Sequence, residues 1–360
     1  MEQAHSTQSA VFHSTKEFLM NHPQYFIGID IASTSFTSAV LTAPGQLTLA
    51  ATSFENSPDG FRMFHQWLSN HAITPENSAV CMEATGVYGE ALCYFLAAQG
   101  YRLAVEPPLK VKRAFKQAGH KTDAVDSVQI AEYAHRFFDE LNFWMPKNTI
   151  LEQIKVLLAA REQFSTQLVA NTMALKTLQR KHIQTPRANQ AYQVTIEHLQ
   201  EQIHDIDQEI KRLIDEDPMF RHLVALMISI PGVGMLLASN LLVLTQGFIN
   251  PVSAKQLAAH AGICPYQHLS GSSVYKRPRS RRYGPSMLRK LLYLSALSLR
   301  THNLEFQKYF LRKVTEGKSK RLVINNISNK LLKIICAVVS SKTQFIPCYR
   351  SVNPALLKSA

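Results

Sequence analysis

From Pro218 to its C-terminus the chain has only two acidic residues, Glu305 and Glu316, against 21 Lys and Arg. That deficit leaves the rear of the chain at +19 and residues 1–217 at −6, within an overall net charge of +13. A split of this kind does not describe one charge-averaged globule: the basic part suits phosphates and the acidic part suits cations. Glycine is scarce too, 14 in 360 residues, and neither a G-x-x-x-x-G-K-[ST] phosphate loop nor a G-x-G-x-x-G fingerprint occurs. Both gaps argue against a P-loop or dinucleotide-binding enzyme. The five cysteines are odd in number, widely spread and never in C-x-x-C, which disfavours a disulfide framework or a structural zinc site and suits a reducing cytosol. The histidines form no H-E-x-x-H or paired-ligand pattern, so none is assigned to a metal. The first 20 residues lack a basic start followed by an apolar run, and no secretory signal is expected.

The stretch Leu223 to Gln246 carries no charged side chain and is long enough to cross a bilayer. Its centre, Ile230-Pro-Gly-Val-Gly234, breaks it into two short apolar helices joined by a tight turn, so a buried helical hairpin and no membrane span is expected.

What is present reads as three parts. Tyr25 to Asp30, Phe36 to Leu41 and Leu47 to Phe54, with a turn at Ala43-Pro44-Gly45, predict a three-strand meander. A helix over Pro58 to His71, a strand at Ala79 to Glu83, a helix over Glu90 to Gln99 and a strand at Arg102 to Glu106 follow. Two more helices come next, one after Pro107-Pro108 and one from Thr122 to Phe138. Together they describe a mixed sheet with helices packed on it. From Ile150 to about Asp217 Ile196, Leu199, Ile203, Ile206, Ile210 and Leu213 keep the 3,4 spacing of a coiled-coil seam, and Pro186 marks the bend of an antiparallel hairpin. Each arm of roughly 30 residues would be about 45 Å long. The remainder, Met219 to about Val339, predicts a basic helical region with helices over Met287 to Leu299 and Leu322 to Val339, and a Gly/Ser/Arg-rich loop from Ser270 to Gly284.

Two groups of residues carry chemistry. Asp30 and Glu83 each end an apolar strand, and Asp123 and Asp126 stand three apart at a helix start, on one helix face. Singly, such acids are ordinary turn and cap residues. Jointly they suit two Mg²⁺ ions clamping the attacking and leaving oxygens of a phosphodiester. The second group is the loop itself: Lys276, Arg277, Arg279, Arg281 and Arg282 fall within seven residues between Tyr275 and Tyr283, a composition suited to phosphate contact and base stacking. Serine before glycine in such a cationic setting, Ser270-Gly271, is a candidate nucleophile on phosphorus, with Ser272 and Ser273 as alternatives.

The phrases Phe26-Ile-Gly-Ile-Asp30, Met82-Glu-Ala-Thr-Gly-Val-Tyr88, Lys121-Thr-Asp-Ala-Val-Asp126 and Ile230-Pro-Gly-Val-Gly234 resemble the DEDD transposases of bacterial insertion sequences, a family that includes the Piv invertase. Ala261-Gly-Ile-Cys-Pro265, Ser270-Gly271 and Leu288-Arg-Lys-Leu-Leu-Tyr293 extend the resemblance, which runs in order from about Phe26 to Val339. It implies an α/β plus α architecture. Residues 25–145 would be a ribonuclease-H-like domain of the Holliday-junction-resolvase type, 146–217 the coiled-coil hairpin, and 218–345 a mainly helical transposase domain. An extension (1–24) and a tail (346–360) would flank them. It further implies Asp30, Glu83, Asp123 and Asp126 as the Mg²⁺ tetrad and Ser270 as a nucleophile forming a covalent phosphoserine. Lys276, Arg277, Arg279, Arg281, Arg282 and Arg289 would touch nucleic acid. The implied partners are double-stranded DNA, a guide (bridge) RNA and further copies of the chain in a dimer or tetramer, in the cytoplasm at the nucleoid. Gly284-Pro285-Ser286 departs from the family's usual Gly-Asn, and Asn325-Asn326 stand where small residues are common. Two other readings compete: a non-catalytic DNA- or RNA-binding protein, and an actin- or sugar-kinase-like phosphotransferase suggested by Gly28-Ile-Asp-Ile-Ala-Ser-Thr34.

Overall fold

Alternation of side chains in Tyr25–Ile31 (β1) sends Ile27, Ile29 and Ile31 to one side of a sheet and Phe26 and Gly28 to the other, so both faces of this strand must be covered. The structure, a computed structural model, describes residues 22–115, 122–183, 185–249, 253–270, 274–280 and 284–347; for 267–270 and 274–279 it describes the backbone. The chain divides into two compact units, Met1–Pro146 and Lys147–Ala360.

In the first unit β1 pairs antiparallel with Ser35–Ala43 (β2), and β2 pairs antiparallel with Gln46–Glu55 (β3) through the turn at Gly45, whose φ of +76° suits glycine. Ser78–Glu83 (β4) lies parallel on the other side of β1, and Arg102–Glu106 (β5) lies parallel to β4. The order β3-β2-β1-β4-β5, three antiparallel strands followed by two parallel additions, is the mixed sheet expected from the strand and helix pattern. Helix α1, Pro58–Asn70, is started by Ser57, whose hydroxyl accepts the Gly60 amide at 3.2 Å, and by Pro58 in its first turn. It lays Phe61, Phe64 and Leu68 on the face that carries Ile27, Ile29, Val80 and Met82, with α2, Glu90–Ala98, adding Leu92 and Leu96. Each such fully buried side chain contributes about 1.5–3 kcal/mol. The opposite face carries Phe26, Ala79, Cys81 and Ala104. It is covered by α3, Pro108–Ala114, through Val111 and by α4, Asp123–Arg136, through Ile130, Tyr133 and Ala134.

In the second unit Thr149–Gln179 (α5) and Pro186–Glu216 (α6) are two 31-residue helices in mutual contact. Ile196, Leu199, Ile210 and Leu213 are buried along α6, and Arg161 of α5 makes a two-pronged ion pair with Asp207 at 2.6 and 2.9 Å. The predicted apolar hairpin is present as α7, Pro218–Ile228, and α8, Met235–Leu244, with Gly232 (φ +80°) in the turn. Helices α9 (Ala254–His260), α10 (Ser286–His302), α11 (Leu304–Thr315) and α12 (Lys320–Ser341) complete it. Among the described residues α12 is long and apolar enough to cross a membrane, yet Val323, Ile327, Leu331, Leu332 and Ile335 are all buried in the core that the apolar hairpin and the root of α5 share.

One expectation for this unit needs correction. The stretch from Ser270 to Gly284 is not a loop throughout: Pro265–Ser270 (β6) and Val274–Ser280 (β7) pair antiparallel, so a β-hairpin interrupts the helices. Val274 and Tyr275 favour strand, and the Gly271-Ser272-Ser273 segment joins the two runs, while the density of Arg and Lys in β7 reads by composition as loop.

Candidate active site

Register sets the geometry at the C-terminal edge of the parallel strands. Ile29 pairs with Met82 and Met82 with Val105, so the next row across β1, β4 and β5 is Asp30, Glu83 and Glu106, the last two being direct partners. Neighbouring strands are about 4.8 Å apart. Side chains two residues apart share a face, which places this row on the face that carries Phe26, Ala79, Cys81 and Ala104, beneath α4.

The direction of α4 follows from two contacts. Phe26 meets His135 and Phe138, with ring centroids 4.7 and 6.0 Å apart, at the C-terminal end of the helix. Two residues along β1, a Cβ on Gly28 would stand 2.1 Å from the Ser127 carbonyl oxygen and 2.3 Å from the Ala131 nitrogen. One more step along β1 reaches Asp30, and one more turn back along α4 reaches Asp126 and Asp123. Gly28 thus lets the helix lie on the strand, and the helix brings its two acids to the end of the sheet where Asp30 and Glu83 stand. Thr122 caps this helix start, its hydroxyl accepting the Val125 amide at 3.3 Å. Asp30, Glu83 and Asp126 are half-buried and Asp123 is exposed.

The four predicted acids share one end of the domain rather than a closed cage: among the described residues no three His, Cys, Asp or Glu side chains gather tightly enough to hold a metal ion. The donor chemistry nevertheless fits a hard divalent cation, since every candidate ligand is a carboxylate oxygen. The strand row also contains an acid that sequence reasoning misses. Glu106 is 2% exposed; its Oε2 lies 3.0 Å from Lys110 Nζ, and its Oε1 is buried with no hydrogen-bond partner among the described residues. Hydrogen bonds to Glu106 and then Tyr133 hold the Lys110 ammonium above its ordinary pKa. Burial drives the Cys81 thiol far up, and the charges of Glu106 and Glu83 add to that effect, so both carboxylates act on one sulfur. The sequence does carry a signal for Glu106: Arg102–Glu106, like the runs ending in Asp30 and Glu83, is an apolar strand that ends on an acid.

A second missed residue is Asn56. Its side-chain amide donates to the Ala32 carbonyl at 3.0 Å and the Tyr88 carbonyl at 3.0 Å, tying the turn after β1 to the segment after β4. Nothing in the local sequence marks it.

In the second unit the β6–β7 hairpin is held at its root. The Arg289 guanidinium donates to the Ala261 carbonyl at 2.9 Å, and the Asn325 amide donates to the Ile263 carbonyl at 3.0 Å. Gly284, with φ +94°, stands where a Cβ would meet the His260 carbonyl oxygen at 1.7 Å. Asn325, a departure from the family pattern, thus holds the Ala261–Pro265 phrase in place, and Arg289 spends one N–H on the same task. Ser270 is the last residue of β6, opposite Val274. Lys276, Arg277 and Arg279 lie on β7. Ser272, Ser273, Arg281 and Arg282 lie outside the described residues, as do most of the N-terminal extension and of the tail.

Comparison with known proteins is consistent across the chain. Residues 27–183 match a family model described as "Transposase", of the DEDD type found in IS110, and residues 224–311 match one described as "Transposase IS116/IS110/IS902 family". A pilin gene-inverting protein of Moraxella bovis is 29% identical over 323 residues, covering 89% of this chain and 97% of that one. An uncharacterized 42 kDa protein of insertion element IS900 from Mycobacterium paratuberculosis is 30% identical over 203 residues, covering 54% of this chain and 49% of that one. A transposase of element IS1328 from Yersinia enterocolitica is 30% identical over 152 residues, covering 41% and 44%. Among solved structures, Thermus thermophilus RuvC aligns with 33% of this chain and 99% of its own, at 16% identity and a TM-score of 0.25.

Proposed function

We propose a mechanism on the premise that this chain belongs to the IS116/IS110/IS902 family of transposases, and so is an enzyme that cuts and rejoins DNA. The observation that carries the reading is the strand row: Asp30 and Glu83 at adjacent strand ends, with α4 set against Gly28 so that its first turn, which carries Asp123 and Asp126, lies toward the same end of the sheet. Mg²⁺ is the proposed cofactor; when bound it would neutralise charge on the scissile phosphate. The residues that would hold it are Asp30, Glu83, Asp123 and Asp126.

In this reading the Ser270 hydroxyl attacks the scissile phosphorus and gives up its proton. A new Oγ–P bond replaces one P–O bond of the strand, whose oxygen leaves as a hydroxyl, and the strand stays tethered as a phosphoserine. Rejoining reverses the exchange: a strand hydroxyl attacks the same phosphorus, and the Ser270 hydroxyl is regenerated. Lys276, Arg277, Arg279, Arg281 and Arg282 would bind backbone phosphates. The +19 charge of residues 218–360 suits a polyanion, and a guide RNA is proposed as a partner beside DNA because the family resemblance implies one. Acids and serine would meet at one phosphate in an assembly of two or four copies, acting on the chromosome in the cytoplasm.

The test compares wild type, Asp30→Asn and Ser270→Ala for strand cleavage and for DNA affinity. Loss of cleavage with affinity nearly intact supports the reading, because neither substitution removes a phosphate contact. Normal cleavage by either variant contradicts it. Sequencing RNA that copurifies with the chain tests the guide.

A further inference from the structure

We infer that Glu106 is a further carboxylate of the cation-binding edge, a positioning residue beside Glu83, and that Lys110 occupies it when no divalent cation is present. This inference rests on the acid-edge reading above and extends it to a residue outside the four acids. Three observations carry it. First, the β4–β5 register makes Glu83 and Glu106 cross-strand partners, so they leave the sheet side by side on the face under α4. Secondly, the Glu106 carboxylate is almost wholly buried, with one oxygen taken by Lys110 at 3.0 Å and the other bearing no hydrogen bond among the described residues. A buried, unpartnered carboxylate oxygen is costly unless a ligand completes it. Thirdly, the compensating charge is on a movable arm. Lys110 is 38% exposed at its side chain, four residues after Glu106 in the first turn of α3, with its ammonium against the Tyr133 ring at 5.8 Å. A flexible lysine can swing to solvent when a divalent cation takes over the neutralisation, whereas a rigid arginine fork would not.

A purely structural ion pair is the competing account. It predicts that Glu106 and Lys110 affect folding alone. The edge account predicts opposite effects on cation affinity: the acid supports binding and the lysine opposes it.

The experiment is a Mn²⁺ titration of the full-length chain without DNA, followed by calorimetry or by the electron paramagnetic resonance of free Mn²⁺, with thermal melting as a folding control. Glu106→Gln is expected to weaken Mn²⁺ binding about 10- to 100-fold, the usual range for outer-shell partners of a metal site. Lys110→Met is expected to tighten it severalfold. The double variant E106Q/K110M removes both charges together and so keeps the buried site neutral; it is expected to bind as weakly as Glu106→Gln, and it decides the matter if the single variant does not fold. Asp30→Asn serves as the reference. If Asp30→Asn weakens binding while Glu106→Gln and the double variant bind like wild type, the inference about Glu106 is overturned and the four-acid edge stands. If Asp30→Asn also binds like wild type, the four-acid reading fails and this inference fails with it.

Discussion

Gly28 faces the Ser127 carbonyl so closely that a single added carbon would stand 2.1 Å from it. The absence of that carbon allows α4 to rest on β1, and the seating of α4 decides whether Asp123 and Asp126 share an edge with Asp30. A local property of one glycine therefore fixes the spacing of acids almost 100 residues apart.

Gly28→Ala is accordingly expected to push α4 off the sheet. Both colliding atoms are backbone, so the strain cannot be relieved by a rotamer change, and a destabilisation of about 1–3 kcal/mol is expected with loss of DNA cleavage. Urea denaturation and a cleavage assay on the same preparation check this; a variant of wild-type stability and activity would show that α4 is not seated through this contact.

Gly284→Ala tests the root of the basic hairpin in the same way. Its φ of +94° and the 1.7 Å approach to the His260 carbonyl both penalise a side chain, so about 1–3 kcal/mol of destabilisation and weaker DNA binding are expected. The milder Asn325→Ala removes only the hydrogen bond to the Ile263 carbonyl, with an expected cost of about 0.5–1.5 kcal/mol. Thermal melting of the two variants side by side shows whether the costs rank in that order.

Replacing Arg279, Arg281 and Arg282 together by glutamine should lower DNA affinity and flatten its dependence on salt. Every phosphate that the chain ceases to neutralise reduces the slope of log K against log[salt] by about 0.9. Filter binding or fluorescence anisotropy across a salt series gives the slope directly, and an unchanged slope would mean that this segment does not touch phosphates.

His135 supplies a pH dependence with a definite sign. Burial against Phe26 holds its pKa below the ordinary 6.5, with His22 and Arg136 acting in the same direction. The folded chain thus resists protonation more than the unfolded chain does. The neutral ring's contribution is complete above about pH 6.5 and is lost as the pH falls from there toward the lowered folded value. Melting temperature should therefore drop between pH 7 and pH 5 by more in wild type than in His135→Gln; equal drops would remove His135 as the cause.

Much of the acid edge is legible in the amino-acid order alone, because Asp30 and Glu83 interrupt apolar strands at the point where burial should continue. The same rule also points to Glu106, but Pro107 directly after it makes it read as an ordinary strand end. The sheet and its helices are readable from period and caps, as with Ser57-Pro58 and Thr122, since those signals are local. The β6–β7 hairpin is not: its second strand, Val274–Ser280, is rich in cations and contains Pro278, so its composition reads as loop. The roles of Asn56 and Asn325 are likewise not readable locally, because each acts on a carbonyl more than 20 residues away.

The central proposal is that Ser270 and the acids Asp30, Glu83, Asp123 and Asp126 act on one DNA phosphate. The most direct test runs end-labelled element DNA with wild type, Ser270→Ala, Ser272→Ala, Ser273→Ala and Asp30→Asn on a denaturing gel in the presence of Mg²⁺. The account predicts a covalent protein–DNA band in wild type and in the Ser272 and Ser273 variants, and none in the Ser270 and Asp30 variants. A band of full intensity in Ser270→Ala or in Asp30→Asn would contradict it.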